Sequence, residues 1–403
     1  GMSNDAGGFA PIDAPQSQAS PPAAYPSPVA PPGYPPPGYP PPGYYPPPGY
    51  AQPGYPPPGY GYPSPGYPAA APQAPKPGII PLRPLTLSDI YNGAVAYVRM
   101  NPKATLGITA IVIVAAQVLA LVLQVGPLAA LGELKSSNFS SFGSSSQPSD
   151  PALIGLSLSS IAGAITTGLA AIVLSGLLTV IVGRAVFGAK ITVAEAWQRA
   201  RGRLLALFGF TALEALGAAV LVAVVVGLIV GIAVLGGGVA AALVGVVLAL
   251  GLLVLLTYLG TMLSFAPTLI VLERLGIVAA IKRSFALVTN DFWRVFGIRF
   301  LGVLVASVIA SAVSLPFSIV GQVLLFAKQS TGTVVVALIL IAIGGAIGQI
   351  VTAPFNAGVV VLLYTDRRIR AEAFDLVLQT GATTQQDSAV DATDRLWLTT
   401  RPG

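Results

Sequence analysis

The sequence contains no cysteine and no histidine, and only 9% of its residues are charged. Without histidine, no side chain titrates near neutral pH as an unperturbed acid or base. Without cysteine there is no thiolate nucleophile, disulfide or thiolate-bound cluster. The two absences together remove nearly all zinc sites and the usual haem ligands. They leave the redox compartment open, because a membrane protein needs no disulfide staple. The carboxylates Asp291, Asp366, Asp375, Glu273 and Glu372 fall in loops or at helix ends, without the spacing of a metal site. No glycine-rich phosphate or dinucleotide motif stands between a strand and a helix, and no strand is readily found. No catalytic, cofactor or metal site is therefore expected. A polar, proline-rich stretch precedes the first apolar segment, so no secretory signal is expected either.

What the chain does have is oil-like sequence. Of its 403 residues 54% are hydrophobic, and the mean hydropathy is +0.76. An apolar run of about 18 residues or more can cross a bilayer core roughly 30 Å thick. Six such runs occur: Ala104–Leu131, Pro151–Gly183, Leu204–Leu235, Val239–Glu273, Phe300–Phe326 and Gly332–Thr365. All are longer than a perpendicular crossing needs, so tilt or protrusion past the hydrocarbon is expected. Leu204–Glu273 could hold three short spans, but that count would turn the basic loop Arg274–Arg299 to the outer face. Two spans broken at Gly236-Gly237-Gly238 fit better.

All but two of the 21 Lys and Arg gather on one side of these runs. They are Lys76, Arg83, Arg99 and Lys103, the loops Arg184–Arg203 and Arg274–Arg299, and the residues from Arg367 onward. Lys135 and Lys328 are the exceptions, in loops assigned to the outside. Cytoplasmic loops carry the Lys/Arg excess. The expected protein is a multi-pass plasma-membrane protein with cytoplasmic N- and C-termini. The net charge of +6 then reflects membrane flanks, and no nucleic-acid partner is implied.

Three regions follow. Residues 1–84 hold most of the 37 prolines in a Pro-Pro-Gly-Tyr repeat, with Tyr34, Tyr39, Tyr44, Tyr50, Tyr55 and Tyr60 at near five-residue spacing. Such a tail cannot build a core and is expected to be disordered, with local polyproline II broken at glycine. It reads as a cytoplasmic spacer or as a multivalent protein-binding tail, and PPGY also fits the ligand pattern of WW domains. Residues 85–380 form the six-helix membrane domain, and 381–403 are expected to be a disordered cytoplasmic C-terminal tail.

The membrane domain repeats itself. Leu85–Tyr91 (LTLSDIY) before the first span and Ile191–Trp197 (ITVAEAW) before the third share one pattern: apolar, Thr, apolar, small, acid, apolar, aromatic. Thr86 with Asp89, and Thr192 with Glu195, have capping-box spacing, and the longer Glu195 is expected to close the box better. Glu195 and Arg199 are spaced as an i,i+4 ion pair. A third copy carries the stripe Ile277, Ile281, Phe285 and Val288 beside Lys282-Arg283. A fourth amphipathic stretch sets Ile369, Ala373 and Leu376 against Arg367, Arg368, Arg370 and Glu372. The expected fold is an all-α membrane protein of three helical hairpins, each preceded by a short amphipathic helix lying in the cytoplasmic headgroup layer.

Such helices, with Trp197 and Trp293, suit an anionic inner leaflet, which makes Arg199, Arg201, Arg203, Lys282, Arg283, Arg294, Arg367 and Arg368 candidate lipid-headgroup contacts. Glu214 is the one acid well inside a span. With Gln117 and Asn356 it forms the candidate intramembrane polar site, to which Gln124, Gln349 and Thr352 could add a polar seam. Kinks are expected at Pro127, Pro267, Pro316 and Pro354. The small-residue spacing Gly344-Gly345…Gly348 suits close helix packing.

Thr268–Ile298 (TLIVLERLGIVAAIKRSFALVTNDFWRVFGI) and Pro354–Leu376 (PFNAGVVVLLYTDRRIRAEAFDL) resemble the membrane domain named after glycerophosphodiester phosphodiesterase. With its Pro/Gly/Tyr tail, the chain is similar to actinobacterial proline- and glycine-rich transmembrane proteins. The resemblance covers roughly residues 80–380 and implies a six-helix membrane fold. The phosphodiesterase activity belongs to a separate soluble domain that depends on histidine and is not carried over. The expectation is a non-enzymatic accessory or structural protein at the inner leaflet. Its alternative is a transporter or channel for a small solute or lipid.

Overall fold

A capping box opens the first helix of the computed structural model, which describes residues 76–130, 150–327, 330–384 and 394–398 within the unit Ala70–Gly403. The Pro-Gly-Tyr repeat and the loop residues Lys135 and Lys328 lie outside the described residues. The Asp89 amide donates to Thr86 Oγ1 at 3.2 Å, and the Thr86 amide donates to Asp89 Oδ2 at 3.0 Å. Helix α1, Leu87–Met100, follows. At the second copy only half of the box forms: the Glu195 amide donates to Thr192 Oγ1 at 3.3 Å. The sequence favoured the opposite order. The difference has a neighbour to account for it, since Arg83 approaches Asp89 at 3.3 Å and helps hold its carboxylate near the cap.

The described residues are otherwise helix and short connections. Next come α2 (Pro102–Ala130), α3 (Asp150–Ala185), α4 (Val193–Gly236), α5 (Gly238–Met262), α6 (Ala266–Leu272), α7 (Ile277–Thr289), α8 (Phe292–Phe326), α9 (Thr331–Glu372) and α10 (Phe374–Thr384). Among the described residues six stretches are long and apolar enough to cross a membrane, with α5 and α6 together forming the fourth. The third and fourth spans part at Gly237, whose φ of 84° is a backbone conformation that glycine adopts without Cβ strain. Two spans, not three, therefore occupy Leu204–Glu273.

The membrane-flanking helices depart from the expected pattern. The first and third copies are separate elements, α1 and α7. The second is not: Val193–Trp197 is simply the first turns of the 44-residue α4. The fourth stretch is no interfacial helix either, because Arg367–Glu372 continue the 42-residue α9. At about 1.5 Å per residue both helices exceed 60 Å, twice a bilayer core, so one end of each stands clear of the hydrocarbon. Ala373, at φ 50°, then turns the chain into α10. On α7 the buried face is Ala280, Ser284, Leu287 and Val288; Val288 is shared with the predicted stripe, whose Ile277, Ile281 and Phe285 are partly buried against the same core.

Burial concentrates at the basic end of the bundle. Ile80, Leu85, Ile90, Tyr97, Val182, Phe265, Leu269 and Leu362 are all fully enclosed there. The folded region thus begins before residue 85, with Ile79, Ile80 and Leu82 buried. It also recruits Asp394–Leu398 from the segment expected to be a disordered C-terminal tail. Trp397, 2% exposed, packs its ring against Tyr364, Phe187 and Phe374 at centroid distances of 6.1, 5.9 and 5.4 Å. Beyond Phe210, α4 buries no residue, so the far end of the α4–α5 hairpin offers its aliphatic side chains outward, as a lipid-facing hairpin would.

Glycine sets the closest helix contact. A Cβ on Gly344 would stand 2.8 Å from Phe317 Cβ, and one on Gly321 2.6 Å from Ile341 Cγ1. Both positions lie where α8 packs against α9. Gly345 meets nothing within 4 Å, so only part of the predicted small-residue run lies in the contact.

Candidate functional site

Two constellations emerge from the fold: a buried ion-pair network at the basic end, and a polar cavity deeper in the bundle. The network absorbs most of the cations predicted to meet lipid headgroups. Glu273, at the end of α6, has a fully buried side chain. It accepts from Arg283 at 2.6 and 3.0 Å and from the Tyr364 hydroxyl at 2.6 Å, with Arg368 at 3.4 Å. Asp366 is equally buried and joins Arg294 at 3.1 Å, Arg370 at 2.9 Å and the Leu85 amide at 2.8 Å. Arg367 reaches Asp291 at 3.1 Å and the Leu287 carbonyl at 2.9 Å. Arg368 also pairs with Glu372 at 3.0 Å and lies 3.8 Å from the centroid of the Phe374 ring.

The candidate lipid-contact cations divide between the interior and the surface. Arg367 and Arg368 are interior, with side chains 7% and 5% exposed. Arg283 and Arg294 are spent on buried carboxylates. Arg203 donates to the carbonyls of Ile270 and Leu275, and Arg199 is drawn to Asp394 beside Arg184. Arg201 and Lys282 remain exposed, as do Trp197 and Trp293. The physical reason is that a buried carboxylate demands compensation, and nearby arginines supply it in bidentate form. Burial works against the charge on Arg283, but its hydrogen bonds to Glu372 and Glu273 outweigh this and raise its pKa above the ordinary arginine value. It stays cationic.

The cavity has a volume of about 390 Å³ and is walled by α2, α3, α6, α8 and α9, with Ser264 from the turn before α6. Gln117, Gln349 and Asn356 line it, so three members of the predicted polar seam share one space. Thr167, Ser175, Thr179 and Thr268 add hydroxyls, while Ile113, Leu174, Leu178 and Val360 supply aliphatic wall. Gln117 lies about 22 Å along α2 from its start at ~1.5 Å per residue, near the middle of a span. Among the described residues, the single charged one on the lining is Arg299. Its Nε is buried without a hydrogen-bond partner, and its Nη1 reaches the Gly260 carbonyl at 3.4 Å.

Glu214 does not line this cavity. It is exposed on α4, close enough to feel the charge of Arg299. Among the described residues no ion pair within 4 Å joins the two. The polar site predicted from Glu214, Gln117 and Asn356 is thus divided, with the amides inside and the acid outside. Gln124 lies elsewhere, its carbonyl accepting from Ser159 at 3.4 Å. Thr352 bonds back to the Gly348 carbonyl at 2.9 Å.

The prolines have separate fates. Pro267 lines the cavity from the first turn of α6, where its missing amide donor costs nothing. It marks the helix start that follows the break at Leu263–Phe265 within the fourth span. Helices α8 and α9 run on through Pro316 and Pro354 as single elements, and Pro127 falls within α2. The Tyr97 hydroxyl donates to the Pro354 carbonyl. Burial pushes the Tyr97 hydroxyl far above the usual tyrosine range and raises that of Tyr91 as well. Among the described residues no group of His, Cys, Asp and Glu could hold a metal ion.

A family model described as a domain of unknown function, DUF7847, matches residues 94–367. The chain belongs to this family. The match runs from the middle of α1 to Arg367 and so takes in every cavity-lining residue. No curated protein and no solved structure matches the chain.

Proposed function

We propose that this DUF7847 protein binds a lipid or small solute inside its membrane bundle and acts in that molecule's handling or passage, without a catalytic step. The observation that carries this reading is the convergence of Gln117, Gln349, Asn356 and Arg299 on one cavity of about 390 Å³. Ligand pockets typically occupy about 300–1,000 Å³ and combine apolar walls with a few placed polar groups. Residues that served only to hold helices together would leave no such space between them. The lining offers no carboxylate, histidine or cysteine to act as base or nucleophile, which favours binding over chemistry.

The accessory reading has its own support. Arg201, Lys282, Trp197 and Trp293 stay exposed at the basic end, where a ring of cationic and aromatic side chains suits a headgroup layer. We place that end in the cytoplasm and the protein in the plasma membrane, with residues 1–75 available to recruit proteins. The relation to the phosphodiesterase membrane domain belongs to the same proposal. The binding reading is tested by native mass spectrometry of the gently extracted full chain. A bound small molecule should accompany the protein and be lost from a cavity-filling Ala353→Phe variant that still folds. Retention of the same mass by that variant would remove the cavity from the account.

A further inference from the structure

Arg299 stands apart from every other arginine discussed above. Arg184, Arg199, Arg283, Arg294, Arg367, Arg368 and Arg370 are matched by Glu273, Asp291, Asp366, Glu372 or Asp394, Arg203 donates to two backbone carbonyls, and Arg201 is exposed. Arg299 instead enters the bundle on the second turn of α8 and lines the cavity with a buried, unpartnered Nε. Among the described residues it has no carboxylate within ion-pair distance, and Glu214, outside the cavity on α4, acts on it only from farther off. A guanidinium in an apolar interior is costly unless an anion meets it, and Arg presents paired donors that match carboxylate and phosphate oxygens. The lining contains no acid that would repel such a group.

The rest of the wall narrows the choice. Gln117, Gln349 and Asn356 can donate to further oxygens of one head, while Ile113, Leu174, Leu178 and Val360 would suit aliphatic chain. A small hydrophilic anion would leave that wall wet, and a cation would meet Arg299 head-on. We infer that the ligand is an anionic amphiphile, a single carboxylate or phosphate oxyanion held at Arg299 with its aliphatic tail along the apolar wall. This rests on the reading of the cavity as a binding site and specifies what enters it.

The test measures direct binding to the full chain in a neutral maltoside detergent. The ligands are dodecanoate, dodecyl phosphate, dodecanol and dodecylammonium, with acetate and inorganic phosphate as tail-less anions. One of the two tailed anions should bind at least about tenfold tighter than dodecanol, the scale of one charge-assisted hydrogen bond, and dodecylammonium should bind weakest. Arg299→Gln should bring the anion and the alcohol to within about threefold, and Arg299→Lys should keep the order. Equal binding of dodecanol and both tailed anions by the native chain would overturn the inference while leaving the cavity reading intact. Binding of none of the six would overturn the cavity reading itself. Inorganic phosphate binding as tightly as dodecyl phosphate, or acetate as tightly as dodecanoate, would overturn the tail. Should Arg299→Gln fail to fold, the ranking in the native chain decides alone.

Discussion

The Tyr364 hydroxyl donates to Glu273 Oε1 at 2.6 Å, joining residues 91 positions apart in sequence. Arg283 and Arg368 close on the same carboxylate, so α6, α7 and α9 meet at one fully buried charge. This point stands between the cavity and the cytoplasmic end as we assign it. Breaking a buried pair by removing one partner leaves uncompensated charge, at a cost of about 3–5 kcal/mol. Glu273→Gln should therefore lower unfolding stability in detergent by about that amount. Tyr364→Phe, which removes one hydrogen bond and no charge, should cost only about 1 kcal/mol. Equal effects of the two substitutions would show that charge pairing is not what holds this corner.

Trp397 closes the same end from outside the six spans. Replacing a buried aromatic by alanine typically costs about 3–5 kcal/mol. Trp397→Ala should approach the lower figure and hasten proteolytic removal of the C-terminal residues. A stability unchanged to within 0.5 kcal/mol, about the scatter of ordinary surface substitutions, would mean that Asp394–Leu398 rests on the bundle without bracing it.

Helix α8 approaches α9 at Gly344, where a Cβ would stand only 2.8 Å from Phe317 Cβ and 3.1 Å from the Ser314 carbonyl oxygen. Gly344→Leu should destabilise the protein by at least about 1–3 kcal/mol through overpacking. Gly345→Leu, at a position with open space, should be nearly neutral. The contrast is read by thermal unfolding of the two variants side by side.

Tyr97 gives a pH dependence. Its hydroxyl titrates far above the ordinary tyrosine value of 10.0 because burial disfavours the phenolate. The neutral form therefore favours the folded state. Its contribution is complete below pH 10 and declines as the pH rises above that value, since the unfolded chain ionises first. Tyr97→Phe should lower stability at neutral pH, by removing the bond to the Pro354 carbonyl, and flatten part of the alkaline decline. An unchanged alkaline slope would assign the decline to other tyrosines.

The natural absence of cysteine makes topology directly testable. A single cysteine at exposed Lys282 should resist an impermeant maleimide on intact cells and react after permeabilisation. Labelling from outside would reverse the orientation proposed for the basic end.

Six spans were legible because each apolar run far exceeds the length of a bilayer crossing, and the break at Gly237 because three glycines interrupt one. Helix starts were legible at the Thr86 and Thr192 caps but not where a span begins within a charged stretch. Reading apolar runs ends a span at the first charge, yet α8 begins at Phe292, eight residues before the expected Phe300, and carries Arg294 and Arg299 inside its first turns. That rule hid Arg299 as a loop residue. Gln117, Gln349 and Asn356 were visible as polar residues in apolar helices, although nothing in their spacing tells whether such groups glue helices or line a space. The roles of Glu273 and Asp366 were illegible for a related reason. Most of their partners lie on other helices, and a carboxylate looks the same in the sequence whether it faces water or two arginines. Trp397 stood in a polar tail with no periodic neighbours to mark it as core.

The central claim is that a ligand resides among α2, α3, α6, α8 and α9, away from the lipid-facing α4–α5 hairpin. Photocrosslinking of the full chain in native membranes with a diazirine-bearing fatty acid, followed by peptide mapping, addresses it most directly. The account predicts adducts on peptides containing Gln117, Leu174 and Asn356, reduced by excess unlabelled dodecanoate and by Ala353→Phe. Adducts confined to Leu213–Leu255, with none on the cavity peptides and no competition, would contradict it.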